Sequence, residues 1–168
     1  MNVKSALTVY KTMVLPHFDY GDYIWYHGTN EQMRPYQLIQ NKCLRCVYKV
    51  RLEQNPLYST DQMHELAKCQ KLNMRCDIHT LFFAFSMKNN PAYVDHRPIS
   101  TRHQQGCRLI FKPVKNPVYG GSYIYRAIQY WNHLKPEYTL IDDVALFKIK
   151  VKRDFPGCFD IENYIVYT

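Results

Sequence analysis

Apolar residues recur at steps of three and four through most of this chain. That spacing lines them up on one face of an α-helix and restricts the fold more than any other feature of the sequence. The clearest case is Met74, Ile78, Leu81, Phe82 and Phe85, a core-facing row that Asn89, Asn90 and Pro91 should stop. A first helical stretch is expected from Ser5 to about Val14. Pro16, suited to a first helical turn, should open a second one running through Phe18, Tyr20, Ile24 and Trp25 to Gly28. Asn30 is the expected N-cap of a long helix, or Pro35 marks its first turn; Tyr36, Ile39, Cys43, Cys46, Val47 and Val50 form its apolar face, and Asn55-Pro56 ends it. A short helix over 60–66 has a capping signature at Thr60, Met63 and Glu65 that is out of register. Ser122 should cap a helix burying Ile124, Ala127, Ile128 and Trp131, with Pro136 beyond its end. A last helix from about Asp142 should bury Val144, Phe147, Val151 and Phe155 before Pro156-Gly157.

The expected fold class is therefore mainly α, a helical bundle of about six helices. An irregular basic region at about 92–121 interrupts it, with room for one short strand or hairpin at Arg108-Leu109-Ile110-Phe111. One helical domain over 1–156 and a C-terminal tail over 157–168 are the expected organisation. With 168 residues, 46% of them hydrophobic and 15% aromatic, the chain carries enough apolar surface for a core and does not have the composition of a disordered protein.

The formal charge is +8, and its distribution matters more than its size: no acidic residue occurs from His96 to Pro136. That stretch holds Arg97, Arg102, Arg108, Lys112, Lys115, Arg126 and Lys135, with His96, His103 and His133 among them, and should attract polyanions. In the long helix, Arg34, Lys42, Arg45 and Lys49 fall on the side away from the expected apolar face, with Gln37 and Asn41 between them. Tyr123, Arg126, Tyr130 and His133 recur at helical steps and make an aromatic and basic face. Bases could stack on its rings while arginine neutralises phosphate, or the tyrosines could simply edge the core. The expected partner is RNA, DNA or an RNA/DNA hybrid, bound with low sequence specificity.

Catalytic and metal chemistry find little support. Leu140-Ile141-Asp142-Asp143-Val144 is superficially like a polymerase metal-binding pair, but two-metal chemistry needs a third carboxylate and flanking strands. These aspartates instead precede a helical pattern and suit its positive end. Cys43-Leu44-Arg45-Cys46 with His64, Cys69 and Cys76 is the only arrangement that suggests zinc. No second Cys-x-x-Cys or spaced histidine pair completes it, and both cysteines fit a helix face, so no metal is expected. No phosphate-binding glycine loop and no nucleophile elbow are present, and nothing selects one cysteine–histidine pair. No catalytic residue and no cofactor are assigned. The chain opens on a polar segment, has no Asn-x-Ser/Thr sequon, and its longest strongly apolar run, Leu81 to Phe85, is far short of a membrane span. An intracellular protein, nuclear or cytoplasmic, with no membrane partner is the expectation.

Three stretches in order carry a family resemblance. The first is Tyr10-Lys11-Thr12-Met13-Val14-Leu15-Pro16-His17-Phe18-Asp19-Tyr20-Gly21, leading to Trp25-Tyr26. The second is Ile39-Gln40-Asn41-Lys42-Cys43-Leu44-Arg45, and the third is Tyr125-Arg126-Ala127 with Trp131-Asn132-His133-Leu134-Lys135-Pro136. Together they resemble the C-terminal portion of jockey-like non-LTR (LINE-type) retrotransposon reverse transcriptases, and Phe147-Lys148-Ile149-Lys150 is similar to that family's closing basic helix. The similarity runs from roughly Tyr10 to Phe155. It implies thumb and post-polymerase helices that grip template and primer, and a catalytic palm supplied by a longer polypeptide. The palm's carboxylates and the preceding endonuclease are missing from these residues, so the resemblance implies no RNA-directed DNA polymerase activity for this chain alone. Cys43, Cys46, His133 and Lys135 depart from the family's wording. The competing reading is a structural or protein-interaction remnant that binds no nucleic acid.

Overall fold

The structure, a computed structural model, describes residues 2–26, 30–49, 59–94, 108–110 and 122–154. The described residues are mainly helical, and no sheet forms among them beyond one isolated antiparallel bridge, Val94 to Leu109. They divide into two compact units, Met1–Cys76 and Asp77–Thr168. Each has its own apolar cluster.

In the first unit, Asn2 caps helix α1 (Val3–Val9) by accepting from the Ser5 N–H at 2.8 Å. The sequence allows a helix pair or one kinked helix around Pro16, and the chain runs through Pro16 without a break. A π-helical turn over Tyr10–Val14 carries α1 into α2 (Leu15–Asp19), with the Leu15 N–H reaching back to the Tyr10 carbonyl. The wider turn shifts the carbonyls by one position, and this accommodates a proline that has no N–H and whose ring would crowd a regular α-turn. The second expected helix is instead cut at Gly21, which holds φ of +71°, a conformation that L side chains rarely adopt. Only the short α3 (Asp22–Trp25) follows.

Helix α4 (Asn30–Tyr48) includes Asn30, which was expected to be its N-cap, and has Pro35 inside it. Its buried face is rotated from the expected one: Met33, Gln40, Leu44 and Val47 are buried, whereas Tyr36, Ile39 and Cys46 are exposed. Asn30's side chain, Val50 and Asn55-Pro56 lie outside the described residues. Helix α5 (Thr60–Ala67) is capped one residue earlier than proposed. Ser59 accepts from the Gln62 N–H at 3.2 Å, and Gln62 Oε1 accepts from the Ser59 N–H at 2.8 Å. Tyr10, Leu15, Tyr26, Met33, Leu44, Val47, Met63 and Ala67 form the cluster, joined by Cys69, Leu72 and Cys76.

Helix α6 (Leu72–Met87) contributes Leu72 and Cys76 to that cluster and Ile78, Leu81, Ala84, Phe85 and Met87 to the second. The row read from the sequence is buried as expected, with Phe82 partly so. The second cluster adds Ala127, Ile128 and Trp131 of α7 (Tyr123–His133), Tyr138 of α8 (Pro136–Thr139), and Phe147 and Val151 of α9 (Val144–Asp154). Phe85 and Phe147 lie 4.5 Å apart between ring centroids, and Trp131 lies about 6 Å from each. Ser122 caps α7 as predicted, accepting from the Tyr125 N–H. Val144, expected in the core, is exposed, and Phe155 lies outside the described residues. Of the expected strand, Leu109 is held by the side chain of Asn132, which accepts from its N–H at 3.0 Å and donates to its carbonyl at 2.8 Å. The amide thereby stands in for a neighbouring strand. Phe111 and most of the basic region, including Arg97, Arg102, Lys112 and Lys115, lie outside the described residues.

Candidate nucleic-acid interface

The basic residues of α4 lie where a 3.6-residue repeat puts them. Arg34, Lys42 and Arg45 follow one another at steps of eight and three along the side opposite Met33, Gln40, Leu44 and Val47, and Lys49 comes just past the helix end, in a left-handed conformation with φ of +56°. Arg34, Lys42 and Lys49 are exposed, and Arg45 is half-exposed. Leu38, half-exposed, sits in the same row between Arg34 and Lys42. Among the described residues none of these four cations is in an ion pair. Lys71 pairs with Asp61, Arg75 with Asp19 and Lys88 with Asp142, and Lys150 and Arg153 are also paired. The row is therefore a line of positive charge that no other described side chain neutralises, the form of surface that exchanges counterions for phosphates.

Behind this row lies a polar network that sequence reading missed. The Leu72 N–H donates to Gln37 Oε1 at 2.9 Å, and Gln37 Nε2 donates to Gln40 Oε1 at 2.8 Å and to Asn41 Oδ1 at 2.9 Å. Gln40 is fully buried, and its Nε2 donates to the Gln70 carbonyl at 3.1 Å. His64 donates from Nδ1 to the Cys69 carbonyl at 2.9 Å. Its Nε2 lies 3.0 Å from Asn41 Oδ1 and 3.3 Å from Gln37 Nε2. A neutral ring accepts there from Gln37, whereas a proton on Nε2 would bond Asn41. Burial, the largest influence, holds the His64 pKa below its ordinary value despite the Cys69 carbonyl. Burial likewise pushes the Cys69 thiol and the Tyr10 phenol up, so neither is an ionised nucleophile at neutral pH. The network fixes α4 against α5 and the segment leading into α6, and so sets the angle at which the basic row is presented. Gln and Asn at positions 37, 40 and 41 were the signal in the sequence, being three amides at helical steps.

The second candidate face is corrected by the structure. Arg126, expected to be exposed, is buried, with its guanidinium carbon 5.4 Å from the centre of the Tyr123 ring. Tyr123 stacks 5.0 Å from Phe83, and the Tyr130 hydroxyl donates to Asp77 at 2.8 Å. Both tyrosines are partly buried against α6, so the row at Tyr123, Arg126 and Tyr130 packs helix on helix rather than offering a platform for bases. Only His133 of that row is exposed. The tyrosines thus take the core-edge placement that the sequence also allowed. Of the two aspartates expected at the helix start, Asp143 caps α9 by accepting from the Leu146 N–H at 2.7 Å, while the exposed Asp142 pairs with Lys88.

Cys43 is half-buried and Cys46 exposed on α4, while Cys69 and Cys76 are buried. Among the described residues no three His, Cys, Asp or Glu side chains converge as metal ligands. Among the same residues no helix is long and apolar enough to cross a membrane. No family model, no curated protein and no solved structure matches the chain.

Proposed function

We propose that this chain is a non-catalytic nucleic-acid-binding module of intracellular origin, which holds single-stranded RNA or DNA, or an RNA/DNA hybrid, by its phosphates along α4. The observation that carries the reading is the row Arg34, Lys42, Arg45 and Lys49, exposed or half-exposed and outside any ion pair among the described residues. The resemblance of Tyr10 to Phe155 to the thumb side of a non-LTR reverse transcriptase supports it. In such a protein these helices would serve a palm located elsewhere in the polypeptide. Contacts of this kind position a strand without reading its bases, so affinity varies little with sequence. Four phosphate contacts on a single strand give a slope of about −3 for log K against log salt, and each contact removed takes away about 0.7. The double variant Lys42→Gln/Lys49→Gln is expected to bind all sequences more weakly with a slope near −1.5. An unchanged slope would remove α4 from the interface.

A second reading has one observation in its favour. Leu146 and Ile149 lie on the outer side of α9, 55% and 63% exposed, opposite the buried Phe147 and Val151. An apolar face of this kind suits a protein-contact remnant, and self-association of the purified chain that is insensitive to salt would favour it.

A further inference from the structure

We propose that a pocket beside the α4 basic row binds a single unstacked nucleotide, with its phosphate on Arg34 and Lys71 and its ring against Met33 and Leu38. This deepens the nucleic-acid reading and rests on it. The pocket has a volume of about 260 Å³ and is lined by Met33, Arg34, Gln37, Leu38, Asn41, Lys71 and Asn73, all within the first unit. It falls just below the roughly 300 Å³ at which pockets for drug-sized ligands begin, so it takes a fragment rather than an extended ligand.

The polarity of its lining selects the ligand. Among the described residues no carboxylate lines it, and each of its amide oxygens already accepts a hydrogen bond. Gln37 Oε1 accepts from the Leu72 N–H, Asn41 Oδ1 accepts from Gln37 and faces His64, and Asn73 Oδ1 accepts from the Met74 N–H at 2.9 Å. The two protons of the Gln37 amide are shared among three acceptors, Gln40, Asn41 and the His64 ring, so neither is left for a ligand. The donors that the lining side chains offer are the NH₂ groups of Asn41 and Asn73, which have no hydrogen-bond partner among the described residues, and the cations Arg34 and Lys71. Because the oxygens are held, those amide donors are fixed in orientation. The Lys71 partner Asp61 is a surface carboxylate, 76% exposed at 2.9 Å, and an exposed pair of this kind exchanges readily for a stronger anion. An anion with an apolar planar body and ring oxygens or nitrogens that accept from amides matches this lining. A nucleotide has all three features. A bare phosphate lacks the ring and a nucleoside lacks the charge.

The test uses uridine 5′-monophosphate, uridine and inorganic phosphate, titrated separately at low salt into the full ¹⁵N-labelled chain. The readout is the side-chain amide signals of Asn41 and Asn73. Uridine 5′-monophosphate should shift both and saturate within about 1 mM, with uridine and phosphate each at least tenfold weaker. Asn73→Asp keeps an oxygen for the Met74 N–H and suits the first turn of a helix, so it folds, but it puts an acceptor and a negative charge where the donor was. It should weaken uridine 5′-monophosphate at least tenfold. Lys42→Gln/Lys49→Gln should leave that binding intact, which separates the pocket from the row. Saturation by the nucleotide with no oligonucleotide binding would overturn the α4 reading alone. Oligonucleotide binding with no shifts at Asn41 and Asn73, or equal shifts from phosphate, would overturn the pocket.

Discussion

Replacing Gln40 by leucine tests whether the amide network holds the first unit together. Gln40 is fully buried and links Gln37 to the Gln70 carbonyl through two hydrogen bonds, with its Nε2 also 3.6 Å from the Cys69 sulfur. Leucine fills nearly the same space, so little cavity opens and the cost falls on two partners that lose their bonds out of reach of water. At about 1–3 kcal/mol for each orphaned group, offset in part by the added apolar burial, the net loss is about 2–4 kcal/mol. For a chain of this length that lowers Tm by roughly 4–16 °C. Thermal and urea denaturation followed by far-UV circular dichroism measure it, with the exposed Gln32→Leu on the same helix as control, expected within about 0.5 kcal/mol of the parent. A Gln40→Leu protein as stable as the parent would refute the view that this network orients α4.

The remaining predictions concern protons, the second unit and the interface. Burial lowers the His64 pKa in the folded chain, so between that value and the unfolded value near 6.5 the unfolded state binds more protons. The His64 contribution is fully present above pH 6.5 and is lost as pH falls through the folded pKa; His64→Gln should flatten the acid limb of a urea-stability profile. A contribution that instead grows on acidification would show that the Nε2 contact to Asn41 outweighs burial. Asn132→Ala orphans the N–H and carbonyl of the buried Leu109 and should cost about 2–4 kcal/mol, read as a lower urea midpoint at unchanged m-value; a loss under about 0.5 kcal/mol would count against the clamp. Arg126→Ala should lower stability without changing the salt slope of oligonucleotide binding, since Arg126 is buried; a reduced slope would restore it to the interface.

The periodic apolar rows were legible because burial follows apolarity there: Ile78, Leu81 and Phe85 face one cluster at the spacing read from the sequence. In α4 the same logic chose the wrong face. A buried glutamine contributes nothing to an apolar count, while Ile39 and Cys46 contribute although they face water. The α5 cap was missed by one residue, although Ser59-x-x-Gln62 fits the reciprocal box better than Thr60 does. The π-helical turn before Pro16 leaves no periodic trace, because it shifts the carbonyls by one position without changing which residues are apolar. The aromatic and basic row of α7 looked like surface because it carries polar atoms. Asp77, the one acid of α6, was the sign that something polar packs against that helix, and Tyr130 is what does so. Arg34, Lys42 and Arg45 were legible because each lies in phase with the others and far from the apolar side, whichever way the helix is turned within that half, whereas Lys49 follows the helix end.

Ultraviolet cross-linking of the full chain to a single-stranded oligonucleotide, with the attached peptides mapped by mass spectrometry, tests the interface most directly. The account predicts cross-links concentrated between Arg34 and Lys49 that disappear as salt is raised. Cross-links confined to residues 123–133, or none at low salt, would contradict it.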